Sequence, residues 1–196
     1  MPDEYSPPPY LLTERLILRP FVEEDWQAFL AFQQNPAIYR WEFMKYPSEE
    51  AHREIFDVYV QVGQLNQIHS LGICYAVVTR EEQKVIGSIS CSYRDGKRRE
   101  KHFGFHIGEL YWNRGYGTEA GRALLDFMFS EGMPRVEARC FEGNIGSVRA
   151  MTKIGLRQTP LTWWQHIEQR LRPPGRLKLQ FSLTAEQWRE KRGKDV

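Results

Sequence analysis

Residues 104–132, GFHIGELYWNRGYGTEAGRALLDFMFSEG, decide the fold. At its start Phe103, Phe105 and Ile107 alternate with His102, Gly104 and His106, the period-2 pattern of a half-buried strand. Further on, Ala120, Ala123, Leu124, Phe127 and Met128 recur at i, i+3, i+4, i+7 and i+8, an apolar stripe along one side of a helix. Gly132 and Pro134 stop that helix. Between strand and helix stands Arg114-Gly115-Tyr116-Gly117-Thr118. Glycine there admits positive φ and lets backbone N–H groups come close to a ligand. The first helical turn leaves N–H donors unpaired and carries about half a positive charge. Such a turn suits a phosphate or pyrophosphate. Many strand-to-helix corners need glycine for geometry alone, and on these residues by themselves that plain reading stands ahead of the phosphate site.

Composition places the chain among ordinary globular proteins, with 196 residues, 41% hydrophobic and 27% charged. A net charge of +2 demands no polyanionic partner. Cys74, Cys91 and Cys140 are far apart, show no metal-ligand spacing and fit buried thiols in a reducing compartment. No apolar run approaches the roughly 20 residues of a membrane span, and the acidic start does not read as a signal peptide. The expectation is a cytoplasmic protein with neither metal nor membrane.

Residues 1–10 read as a flexible tail with three consecutive prolines, and 11–192 as a single domain. A first strand spans 12–19. A helix spans 23–34, with acidic residues in its first turn and Pro36 ending it. Ser48 caps a second helix with Ala51, Ile55, Val58, Tyr59 and Val62 as its buried stripe, closed at Gly63. Strands at 73–78 and 84–92 make a hairpin. After the central strand and helix come a strand through Val136, Ala138 and Cys140, and a helix from Asn144 to Gly155. Strand-like runs follow at 156–161 and 162–171, then a turn at 173–175, a last strand at 177–183 and a helix capped by Thr184 that carries Trp188. The order β-α-α-β-β-β-α-β-α-β-β implies an α+β fold, a mixed sheet flanked by helices.

Trp112-Asn113-Arg114-Gly115-Tyr116-Gly117-Thr118-Glu119-Ala120 resembles the coenzyme A pyrophosphate loop of the GNAT acetyltransferase superfamily, in the branch of the ribosomal-protein N-terminal acetyltransferases. Thr13-Glu14-Arg15-Leu16-Ile17-Leu18-Arg19-Pro20 is similar to that branch's opening strand. Asn144-Ile145-Gly146-Ser147 and Lys153-Ile154-Gly155-Leu156 resemble its Asn-x-x-Ser helix and the ending of that helix. The three matches lie in family order and reach from Thr13 to about Trp188. The resemblance implies the GNAT fold, a mostly antiparallel sheet in which two adjacent parallel strands splay and acyl-CoA enters the gap. It implies acetyl-CoA as co-substrate and a primary amine as acceptor. A protein N-terminal α-amine is foremost, and a small-molecule amine such as an antibiotic or polyamine is the alternative.

By the same resemblance Phe105, His106 and Ile107 lie along the pantetheine, with a backbone N–H of His106 or Ile107 facing the thioester oxygen. Asn113, Arg114, Gly115, Tyr116, Gly117 and Thr118 lie under the pyrophosphate, and Asn144, Ser147 and Lys153 also contact the coenzyme.

Acetyl transfer needs a neutral amine, a stabilised oxyanion and a thiolate able to leave. Ser147 is the candidate donor to the thiolate, because Met151 stands where many GNAT enzymes carry a tyrosine. His106 is the candidate base, with Glu109 and Glu42 as rivals acting through water. Trp41, Glu42 and Trp164, with Phe43 and Trp163, are candidates to line the acceptor cleft. Each of these has a plain alternative as a surface polar residue or a core aromatic. The basic run at 94–101 raises nucleic-acid binding as a second class, but no recognition motif accompanies it and an exposed hairpin loop explains it. A coenzyme-binding protein without catalysis is a third reading. A homodimer is compatible with all of them.

Overall fold

A computed structural model describes residues 8–41, 48–64, 72–93, 101–171 and 176–193. The chain opens as a hairpin in which β1 (Leu11–Leu12) pairs antiparallel with β2 (Leu16–Pro20). The continuous strand expected at 12–19 is therefore broken, and Thr13 breaks it. Its hydroxyl accepts the Leu16 N–H at 2.8 Å, and its own N–H donates to the Leu16 carbonyl at 3.0 Å. A short polar side chain bonding the nearby backbone in this way turns the chain.

One 3-10 turn at Glu23–Asp25 leads into α1 (Trp26–Gln33). Pro36 does more than end that helix, for Asn35 caps and Pro36 opens α2 (Pro36–Tyr39), the Ala37 N–H donating to Asn35 Oδ1 at 2.8 Å. Before α3 (Glu49–Gln64), Ser48 Oγ accepts the Ala51 N–H at 3.3 Å, the cap expected there. Strands β3 (Gly72–Thr79), β4 (Val85–Tyr93) and β5 (Lys101–Ile107) then run as an antiparallel meander. Helix α4 (Tyr116–Ser130) crosses to β6 (Arg135–Phe141), which lies parallel to β5. The chain continues through α5 (Ile145–Ile154), β7 (Arg157–Gln158), α6 (Trp163–Leu171), β8 (Lys178–Thr184) and α7 (Ala185–Arg192). The sheet order is β1-β2-β3-β4-β5-β6-β8-β7, with β5–β6 its parallel pair.

The strand-like reading of 162–171 is wrong, because the segment is helix α6. Trp163, Ile167 and Leu171 are four residues apart, a helical repeat rather than an alternation.

Helices cover both faces. On one face α1 and α3 pack Phe29 and Phe56 against Phe21, Cys74, Ala76 and Val78. On the other, α4 sets Ala120, Leu124, Leu125 and Met128 over Leu18, Tyr75, Ile89 and Phe103. Strand β3 is buried along its whole length because it lies between the two layers. Asp25, nearly buried, accepts from both Arg19 terminal nitrogens at 2.6 and 2.8 Å and so ties β2 to the start of α1. Among the described residues no helix is long and apolar enough to cross a membrane.

Candidate functional site

Strands β5 and β6 pair only at Lys101–Val136, His102–Glu137 and Phe103–Ala138, yet β5 runs on to Ile107 and β6 to Phe141. Beyond Phe103 the two separate, which is the expected splay. Strand amides alternate sides. The Gly108 N–H donates to the Ile86 carbonyl at 2.7 Å, and the β4 register sets His106 opposite Ser88. The amides of Gly104 and His106 therefore face β4, while those of Phe105 and Ile107 face the gap. The Trp112 indole N–H donates to the Ile107 carbonyl at 2.5 Å, so that acceptor is already used. What remains at the gap is the Ile107 N–H with both backbone groups of Phe105. This edge can pair with one further extended, amide-bearing chain.

At the end of β5 the backbone turns through two left-handed residues, Asn113 at φ 59° and Gly115 at φ 83°. Alternating handedness gathers successive N–H groups into a concave, anion-receptive surface, and α4 begins at once behind it. Thr118 and Glu119 donate back to the Gly115 carbonyl, each at 3.0 Å, so the first helical N–H groups, of Tyr116 and Gly117, have no such bond within the helix. Gly117 also lies against β5. A Cβ on it would stand 3.1 Å from Phe105 Cε2 and 3.6 Å from Ile107 Cγ1. The glycine thus lets the helix start approach the gap-lining strand. Arg114 is exposed, with its guanidinium carbon 5.9 Å from the Tyr111 ring centre.

On the other side of the gap Asn144 caps α5, its Oδ1 accepting the Ser147 N–H at 3.2 Å. The half-buried Ser147 hydroxyl lies near the Cys140 thiol on β6. Burial pushes that thiol up to about 11, and the nearby Ser147 hydroxyl offsets part of the rise. Met151, one turn on, is core. Lys153 is exposed at the end of α5, where its carbonyl accepts from Lys191 at 3.0 Å and Arg122 at 3.3 Å. Its side chain borders a surface groove shared with Arg15, Gly115 and Thr118.

Residues 15–157 match the family model described as an acetyltransferase (GNAT) domain. The chain belongs to the GNAT acetyltransferase family. It is 30% identical over 158 residues to the uncharacterised N-acetyltransferase YnaD of Bacillus subtilis, across 76% of this chain and 83% of that one. With YoaA, another uncharacterised N-acetyltransferase of the same organism, identity is 26% over 151 residues, covering 76% and 84%. Among solved structures, a GNAT-family acetyltransferase from Bacillus anthracis superposes with TM-score 0.71 at 22% identity, covering 91% of this chain and 99% of that one. The ribosomal-protein-S5-alanine acetyltransferase from Vibrio fischeri gives 0.69 at 18%, covering 92% and 99%. GNAT enzymes take acetyl-CoA as co-substrate and act on amine acceptors, and the free β5 edge, the left-handed loop and the α4 N-terminus suit such a co-substrate. Among the described residues no group of three or more His, Cys, Asp or Glu could hold a metal ion.

The remaining candidates of this GNAT protein lie mainly on the face away from α4. Half-buried His106 has Nδ1 3.4 Å from the Ser88 hydroxyl. Exposed Glu109 accepts from the Asn35 amide at 3.1 Å, which connects it to the cap of α2. Trp41 sits between two arginines, Arg40 at 4.7 Å and Arg176 at 5.6 Å from its ring centre. Trp163 and Trp164 contact each other at 4.5 Å between ring centres and are 65% and 70% exposed on α6. Glu42, Phe43 and most of the basic run, 94–100, lie outside the described residues.

One cluster is unforeseen. The Glu119 carboxylate, inside the loop motif, accepts from the Thr13 hydroxyl at 2.6 Å, the Arg15 N–H at 2.9 Å and Arg15 Nε at 2.7 Å. The opening motif and the loop motif are thus one hydrogen-bonded unit. Their co-occurrence was the available signal, but nothing in it told which residues meet.

Proposed function

We propose that this protein moves an acetyl group from acetyl-CoA to a primary amine, foremost the α-amine of a protein N-terminus. The observation that carries the reading is the end of β5–β6 pairing at Phe103–Ala138, which leaves the Phe105 and Ile107 amides facing a gap beside the α4 N-terminus. In this reading Phe105 and Ile107 bind the pantetheine arm as a neighbouring strand would. The Ile107 N–H, rather than that of His106, stabilises the developing oxyanion. Asn113 to Thr118 hold the pyrophosphate, and Asn144 and Lys153 support the coenzyme from α5. The Ser147 hydroxyl donates to the departing thiolate. His106 receives the amine proton, with Glu109 as the rival acceptor, and Trp41 borders the acceptor.

Strands from Leu11 to Thr184 share one sheet, which supports reading 11–192 as one domain. Buried Cys74, Cys91 and Cys140, none of them in a disulfide, fit a cytoplasmic setting.

Calorimetry with coenzyme A tests the site. Gly117→Glu adds bulk 3.1 Å from Phe105 and a negative charge at the helix N-terminus, so binding should be lost in a variant that still folds. Binding as tight as wild type would put the coenzyme elsewhere.

A further inference from the structure

We infer that the acceptor carries a carboxylate near its amine and that Arg139 recognises it; this rests on the acetyltransferase reading above. Arg139 lies on β6 one residue past Ala138, the last residue paired with β5. Val136, Ala138 and Cys140 enter the core under α4, so Arg139 lies on the opposite face, with His102, Gly104 and His106 of β5. It is half-buried. Its Nε is buried without a hydrogen-bond partner, and among the described residues no carboxylate pairs with it. A guanidinium keeps its charge and presents five donors, and burying such donors unmade is costly. Several other arginines are matched, since Arg15, Arg19, Arg53, Arg135 and Arg192 each meet a carboxylate. Glu137, two residues back on the same face, is taken by Arg135 at 2.7 Å.

There is open space on the same face of the gap. Gly104 is the first β5 residue past the last pair, as Arg139 is on β6, and a Cβ at Gly104 would meet nothing within 4 Å. Near the end of β6 stands more positive charge, which no carboxylate among the described residues pairs. Arg176 lies 5.1 Å from the Phe141 ring centre and donates to the Arg40 carbonyl at 2.8 Å, and both arginines flank Trp41. Bidentate pairing with a carboxylate is what an arginine fork in such a setting favours. From Gly104 to Ile107 is three residues, about 10 Å at ~3.3 Å per residue. In an extended peptide that separates the α-amine from the second or third side chain. The acceptor chemistry is therefore an N-terminus with an acidic residue at one of those positions, or a small amine with its carboxylate at similar reach.

The test uses acceptors in pairs. One arm has peptides with a free N-terminus and no lysine, differing only as Asp or Asn at position two, or at position three. The other arm has 7-aminoheptanoate, whose extended amine-to-carboxylate reach matches that span, and its amide. Wild type should prefer the carboxylate member of at least one pair by roughly 10- to 100-fold in kcat/KM, the scale of a charge-assisted bond. Arg139→Gln should collapse that ratio towards one, and Arg139→Lys should restore only part of it. The arm showing the preference tells peptide from small acceptor. Equal rates within every pair, or a preference undiminished in Arg139→Gln, overturn the inference and leave the acetyltransferase reading standing. Transfer to no member of either arm overturns that reading as well. Should Arg139→Gln not fold, the wild-type ratio alone decides.

Discussion

The Arg15 guanidinium meets the Glu119 carboxylate at 2.7 Å through Nε and 2.6 Å through Nη2, joining the opening hairpin to the first turn of α4. The same side chain donates to the Arg114 carbonyl at 3.0 Å and lies 4.6 Å from the Tyr116 ring centre. Arg15 thus braces the left-handed loop from outside. Arg15→Ala should weaken coenzyme A binding by roughly 3- to 30-fold, the loss of one or two partly exposed charge-assisted bonds. Pantetheine, which lacks the pyrophosphate, should bind the variant and wild type alike in competition calorimetry. Equal losses for both ligands would mean that Arg15 supports the fold generally and not the loop.

Glu119 makes that brace sensitive to pH. Burial tends to raise its pKa, but the Thr13 hydroxyl, the Arg15 N–H and the Arg15 guanidinium outweigh it and hold the carboxyl below its usual range. A lowered folded-state pKa stabilises the protein at pH above the unfolded value, about 4.3 for a glutamate. That stabilisation disappears as pH falls through the folded value. Glu119→Gln should therefore be less stable than wild type at pH 7, with the difference shrinking as pH falls below about 5. Urea unfolding of both proteins across that range checks it. A difference that stays constant into acid would contradict the assignment.

Much of this arrangement was visible in the sequence where local periodicity and tertiary structure agree. The alternation of Phe103, Phe105 and Ile107 and the stripe from Ala120 to Met128 each bury one face, so pattern and burial coincide. At 162–171 the apolar content suggests a strand, whereas the four-residue spacing of Trp163, Ile167 and Leu171 belongs to the helix that forms there. Thr13 broke the first strand through a hydroxyl-to-backbone bond that hydropathy does not register. The Arg15–Glu119 pair joins residues 104 apart, and a charge reveals nothing of which distant charge it will meet. In the sequence Arg139 is one more polar position of an alternating strand, and its buried, unpartnered Nε shows only in the folded chain.

The Ser147 hydroxyl lies near the Cys140 thiol beside the splay, and the thiolate leaving coenzyme A would be a stronger acceptor for its hydrogen than that thiol. Ser147→Ala should lower kcat by roughly 10- to 1,000-fold with a much smaller change in KM for acetyl-CoA. Ser147→Thr, which keeps a hydroxyl, should recover part of the loss. An unchanged kcat in Ser147→Ala, with chemistry shown to limit the rate, removes the residue from the mechanism.

The central claim is acetyl transfer to an α-amine, and two peptides test it most directly. One has a free N-terminus and no lysine; the other is N-blocked with a single lysine. Only a neutral amine attacks, and at pH 7 an α-amine of pKa ~7.8 is roughly 14% neutral against ~0.04% for lysine at ~10.4. That gap corresponds to about 3.5 kcal/mol, of which lysine's higher intrinsic nucleophilicity recovers only a part. With acetyl-CoA supplied and coenzyme A thiol release followed at neutral pH, the peptide with the free N-terminus should react faster, with one acetyl group gained per thiol released. Faster acetylation of the blocked lysine peptide, or thiol release without an acetylated peptide, would contradict the claim.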